Sequence, residues 1–225
     1  MQKLPNNIRF QVSGSFYLKD PESSELGKKI LKHGIRMIDE LGFDEFTFRK
    51  LGMEIGSNEA SIYRYFESKY KFLIFLSSWY WAWMEYSLIL ALTNVNSPEK
   101  RLERAIALLA HEPNDNLDLE HFELEKLSRI VNSESSKSYL TKEVDEANNG
   151  GAFINYKQFV SRVSDIVKEI NTRYKYPNML ISTVIEGIHL QRFFAEHLPR
   201  LTNKQKDNQY IQKFFTELVF KTIKG

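Results

Sequence analysis

The sequence predicts an all-α protein of about nine or ten helices. Three observations carry that expectation. Apolar residues recur at spacings of three and four along most of the chain. The runs tend to open on a capping residue, often followed by proline, and to close on glycine or proline. Period-two alternation is confined to the first eighteen residues, where "IRFQV" and "SFYLK" flank Ser13-Gly14 and would pair as a short N-terminal β-hairpin.

The elements follow in order. Asp20-Pro21-Glu22 combines an N-cap, a first-position proline and an acidic first turn, and Leu26, Ile30, Met37, Ile38 and Leu41 then recur until Gly42 ends the first helix. Thr47 caps a short second helix to Ile55, with Phe48, Leu51 and Ile55 inward, and Gly56-Ser57 breaks it. A third short helix covers residues 58–66. Ser68 caps a long fourth helix to about Leu92, with Phe72, Phe75, Trp79, Trp83, Tyr86 and Leu90 in one stripe. Ser97-Pro98-Glu99 opens a fifth, which ends near His111. Further helices are predicted over 117–131, 135–147, 152–174 and 177–197, with a break at Gly150-Gly151. Thr202-Asn203-Lys204-Gln205 forms a capping box for the last, which runs to about Ile223.

Composition narrows the function classes. The 225-residue chain has no cysteine, so disulfides and thiolate metal sites are excluded and a reducing, cytoplasmic setting is expected. Its N-terminus carries charge where a signal peptide would place its apolar core. Phe72 to Leu92 is long enough for a bilayer, yet Trp79, Tyr80, Trp81 and Trp83 sit in its middle and Glu85 is charged, so no membrane span is expected. A net charge of +2 argues against a generic polyanion binder, so any nucleic-acid contact must be local.

That local contact is suggested by helices two and three, whose short turn contains Gly56 as a helix-turn-helix requires. Ile62 and Phe66 lie four apart and face inward, which leaves Asn58, Glu59, Ser61, Tyr63 and Tyr65 outward. Hydroxyls of this kind contact phosphates, while Asn58 and Ser61 are chemically able to read base edges. Lys69 and Lys71 stand in the first turn of the fourth helix, where the macrodipole favours anions and a phosphate would reconcile the two.

The stretch "FTFRKLGMEIGSNEASIYRYFESKYKFL" resembles the helix-turn-helix signature of the tetracycline-repressor (TetR) family over roughly residues 26 to 73. The matching features are Gly42-Phe43, Thr47, Ile62-Tyr63-Arg64-Tyr65-Phe66 and Ser68-Lys69. The resemblance implies that the third helix enters the major groove of double-stranded DNA, with Thr47, Tyr63, Tyr65 and Lys69 on the backbone and Asn58, Glu59, Ala60 and Ser61 nearest the bases; Arg49 and Arg64 complete the candidate set. Ser57 and Glu59 depart from the family pattern. Glu59 either accepts from cytosine N4 or only stabilises the helix start. From Glu25 to Phe72 nine basic residues face eight acidic ones, so modest non-specific affinity is expected.

Its alternation sets the N-terminal extension (1–20) apart, and the resemblance implies a DNA-binding domain (21–67) packed on a larger helical effector-binding and dimerisation domain (68–225), a ligand-responsive homodimer and a palindromic operator. Aromatic stripes are usually core, but the Trp79, Trp83 and Tyr86 cluster is dense enough to form one wall of a small-molecule pocket, with Phe122, Phe153, Tyr156 and Phe159 opposite. The last two helices have broad apolar faces, from which Val184, Ile188, Phe214 and Leu218 are candidate dimer contacts. Two other readings compete: an interaction module whose DNA unit has lapsed, and, least favoured, a helical metal enzyme. Glu186 and His189 have di-iron spacing but no second such pair accompanies them, and Asp118 with His121 is discounted similarly. No catalytic residue, metal or cofactor is expected.

Overall fold

The structure is a computed structural model in which residue 10 and residues 12–111, 113, 122–203 and 209–225 are described. Among them are ten α-helices and no strand: α1 (Glu25–Leu41), α2 (Phe48–Glu54), α3 (Glu59–Tyr63), α4 (Lys69–Leu92), α5 (Pro98–Ala110), α6 (Leu124–Tyr139), α7 (Val144–Asn149), α8 (Ile154–Ile170), α9 (Pro177–His197) and α10 (Tyr210–Lys224). The chain divides into two compact units, Met1–Ala82 with Pro113–Ile154, and Trp83–Glu112 with Asn155–Gly225.

In the first unit α1 buries Ile30, Leu31, Ile35 and Ile38. It starts later than the sequence suggests. Asp20 caps only a 3-10 turn at Pro21–Ser23, Ser24 is extended, and the Ser24 hydroxyl then accepts from Gly27 N–H to open α1. Gly34 brings α1 close to α4, since a Cβ there would lie 2.6 Å from Phe72 Cζ. On its other side α1 meets α6, where the Arg129 guanidinium grips Asp39 at 2.7 and 2.8 Å. Asp39 holds that guanidinium firmly charged. This support carries α6 straight through the predicted break at 131–135, because polar residues interrupt a helix only when nothing else holds it. The part of that prediction before Phe122, including Asp118 and His121, lies outside the described residues.

The expected hairpin is not formed among the described residues, although residues 8, 9 and 11 lie outside them. Gly14–Phe16 is a 3-10 turn whose Ser13 hydroxyl accepts from Ser15 N–H, and Phe16 is buried. Two strands alone bury too little to persist, and Phe10 and Tyr17 meet Trp79 and Phe75 of α4 instead.

The second unit holds α5, α9, α10, α8 from Asn155 and the end of α4. Ile181, Val184, Ile185 and Ile188 of α9 and Ile211, Phe215, Val219 and Ile223 of α10 are all buried. Each such side chain contributes about 1.5–3 kcal/mol. Gly187 sets the closest approach, since a Cβ there would lie 2.7 Å from Phe215 Cζ. α10 starts at Tyr210 with no side-chain cap, so the capping box at Thr202 does not open it; Lys204 and Gln205 lie outside the described residues. α4 is apolar on all sides rather than striped, and Phe72–Trp81 are buried without interruption. No helix among the described residues is long and apolar enough to cross a membrane.

Candidate nucleic-acid interface

Thr47 is exposed and opens α2 by accepting from Lys50 N–H at 3.2 Å. The turn to α3 is closed by a bond from Ser57 N–H to Gly52 carbonyl at 2.8 Å. Only glycine fits at 52, because a Cβ would lie 2.7 Å from the Ser57 carbonyl oxygen. Gly56 completes the turn at φ 65, the left-handed region. Asn58 then caps α3, its Oδ1 accepting from Ser61 N–H at 2.8 Å and from Ser61 Oγ–H at 2.7 Å. Ile62 is fully buried beneath.

One surface results. Thr47, Arg49, Asn58, Ala60, Tyr63 and Arg64 are exposed, with Glu59 and Ser61 half-buried between them. Tyr63 stands edge-on to Phe48 at 5.2 Å, which fixes its ring while the hydroxyl end stays open. Among the described residues Arg49 and Arg64 have no ion pair, whereas Lys28, Arg36, Lys50 and Lys71 pair with Glu25, Glu123, Glu45 and Glu146. The nearly neutral head therefore leaves two uncommitted guanidinium groups on this surface.

Two predicted contacts sit elsewhere. Tyr65 is not outward but buried, its hydroxyl 2.7 Å from Ser24 Oγ. α3 ends at Tyr63, so helical spacing no longer governs the residue two places on. Lys69 reaches back to the loop before α2, donating to the carbonyls of Phe43, Asp44 and Phe46 at 3.1, 2.9 and 3.2 Å. That loop end carries partial negative charge, which attracts the ammonium as a phosphate would. Residues 13–24, which meet Tyr65, were not expected at the site. Their signal was the alternation of Phe16 and Leu18 with polar residues, which reads equally as strand pairing or as a segment lying on a helical body.

Residues 30–74 match the family of bacterial regulatory proteins known as tetR. Over that stretch the sequence is similar to the family. Among solved structures, AibR in complex with isovaleryl coenzyme A and operator DNA is similar at TM-score 0.59 and 13% identity, covering 86% of this chain and 98% of that one. The superantigen PfiT is similar at TM-score 0.58 and 16% identity, covering 90% and 97%. A protein assigned to the TetR family of transcriptional regulators from Mesorhizobium loti MAFF303099 is similar at TM-score 0.50 and 13% identity, covering 88% and 94%. At such identities the likeness is one of fold, and it covers nearly the whole chain. No curated protein matches in sequence.

The remaining candidate residues fall in both units. In the first, Trp79 stacks on Phe122 with ring centroids 3.6 Å apart and an interplanar angle of 14°. In the second, Trp83 and Phe159 are buried, Tyr86 is half-buried and Tyr156 donates to Glu186 Oε1 at 3.2 Å. Glu85 is buried there and accepts from the Arg162 guanidinium at 2.6 Å. Burial lowers the His189 imidazole to about 3, with nearby Arg192 adding to it, so the ring is neutral. Among the described residues no three His, Asp or Glu side chains gather as a metal set. Of the four dimer candidates, Val184 and Ile188 are buried inside the second unit and present no surface. Their spacing of four keeps them on one buried side of α9. Phe214 and Leu218 are 55% and 40% exposed, as are Leu190 and Phe193 at 52% and 42%.

Proposed function

We propose that this chain is a ligand-responsive transcriptional repressor that binds a palindromic operator as a homodimer and is released by a small apolar or aromatic effector. Residues 21–67 would read DNA, and 68–225 would carry effector binding and dimerisation. The observation that carries the DNA reading is the exposed surface of Thr47, Arg49, Asn58, Tyr63 and Arg64, with Ser61 half-buried among them, on a turn locked by Gly52 and Gly56, with both arginines unpaired among the described residues. Arginines left unpaired beside a short helix suit phosphates or guanine edges. The stacked Trp79 and Phe122 support an aromatic or apolar effector, and the buried Trp79 indole nitrogen, which has no partner among the described residues, offers it a donor. Exposed Leu190, Phe193, Phe214 and Leu218 support a second copy on α9 and α10. Release would follow from an effector's preference for a dimer whose reading heads are misplaced.

The test is selection of duplexes from a random-sequence pool by the full chain at low salt. Recovery of a two-fold symmetric site, with affinity reduced roughly tenfold by Arg64→Ala, supports the reading. Glu59→Ala separates its two roles: relaxed preference at one base pair marks a base contact, and uniformly stronger binding marks repulsion of phosphates. No selection of any duplex would instead favour an interaction module, the reading to which Glu59 and the nearly neutral head point. Replacing Trp79 or Trp83 in a stably folded chain without changing ligand-dependent release would remove the effector assignment.

A further inference from the structure

We propose that residues 13–20 are a brace that positions the reading helix α3, with the main-chain N–H of Leu18 as its operative contact; the proposal rests on the DNA-binding reading above. The Leu18 N–H donates to the Tyr65 carbonyl at 2.8 Å, two residues beyond the end of α3. Beside it Lys19 Nζ stands 5.1 Å from the centre of the Tyr65 ring, and Ser24 meets the Tyr65 hydroxyl. The other end is anchored equally well. Ser13 Oγ–H donates to the Gly150 carbonyl at 2.7 Å, and Phe16, 1% exposed, covers that glycine so closely that a Cβ would lie 3.2 Å from its ring. Between the two ends Tyr17 stands edge-on to Phe75 at 5.9 Å, and ahead of them Phe10 stands edge-on to Trp79 at 5.1 Å.

A helix of five residues has little stability of its own, so its orientation depends on what holds its two ends. The Gly52 turn holds the first. Leu18 holds the second, and with that bond removed the helix must be ordered by the DNA itself, which lowers affinity without changing which groups touch phosphate. Leu18 is therefore a positioning residue, acting through Tyr65.

The experiment compares Leu18→Pro and Leu18→Ala in the full chain on the duplex selected by the natural sequence. Proline removes the N–H, and Tyr17 already has the extended backbone (φ −144, ψ 150) that a following proline requires. Alanine keeps the N–H and trims a side chain that is 60% exposed. Leu18→Pro is expected to weaken binding roughly two- to tenfold, with an unchanged slope of affinity against salt and faster amide exchange at Ile62–Phe66. Leu18→Ala should bind within about twofold of the natural chain. A folded Leu18→Pro chain with undiminished affinity overturns the brace, as does an equal loss in Leu18→Ala. If Leu18→Pro does not fold, Ser13→Ala releases the opposite anchor, and unaltered affinity there has the same force. Should the natural chain select no duplex, the DNA reading fails first. Exchange at Ile62–Phe66 then decides alone, faster in the variant if the brace is real and unchanged if it is not.

Discussion

Lys69 shows how much one side chain can hold. Three carbonyl bonds and the Phe43 ring at 4.9 Å surround its ammonium, which makes it the clasp of the loop between α1 and α2. Lys69→Met should therefore lower stability by about 1–2 kcal/mol in the absence of DNA, read as a shifted urea midpoint. A variant of unchanged stability that binds DNA poorly would return the lysine to a phosphate. His189 makes a different prediction. Its folded-state value of about 3 lies below the ordinary histidine value near 6.5, so the unfolded chain takes up a proton that the folded one refuses. Stability is thus undiminished above about pH 6.5 and falls as the pH drops toward 3, by about 2 kcal/mol at pH 5. Urea midpoints at pH 7 and 5 should show that slope, and His189→Asn should lack its share of it.

At the scale of elements the helix ends were the most legible features. Thr47, Ser68 and Ser97 each cap the helix that the sequence assigns to them, because a cap involves only the next three residues. The turn between α2 and α3 was legible through Gly56, while Gly52 was read only as part of a helix. Its need is tertiary, set by the Ser57 carbonyl. Gly52→Ala should cost about 2 kcal/mol and weaken DNA binding together with thermal stability. A melting temperature equal to that of the natural chain would show that the turn has room to shift. Spacing alone makes α3 too long and divides α6 in two, and both differences have one physical origin. Periodicity is blind to where a neighbouring segment takes over, whether Leu18 beyond α3 or α1 along α6.

For the whole molecule, the apolar residues of α9 and α10 divide into a buried and an exposed set that composition does not distinguish. Ile188 is fully buried, so Ile188→Ala should destabilise the monomer by about 3 kcal/mol, measurable by urea unfolding. Phe214 is exposed, so Phe214→Glu should leave the fold intact and convert a dimer to a monomer in sedimentation velocity, with loss of tight binding to a two-half-site duplex. A chain that sediments alike with and without the substitution would locate the partner face elsewhere.

Local residue patterns were enough for the all-α class, most helix starts, the helix-turn-helix and the TetR resemblance. Each depends on contacts within about four residues along the chain, where spacing and capping chemistry are decisive. Tertiary structure alone decided that Tyr65 turns inward to Ser24, that Lys69 clasps the loop ahead of α2, that Val184 and Ile188 are core while Phe214 and Leu218 are surface, and that residues 13–20 lie along the helices instead of pairing with each other. These outcomes join residues up to 137 positions apart, as Ser13 and Gly150 are. An apolar or hydroxyl-bearing side chain carries no local record of which distant partner will bury it.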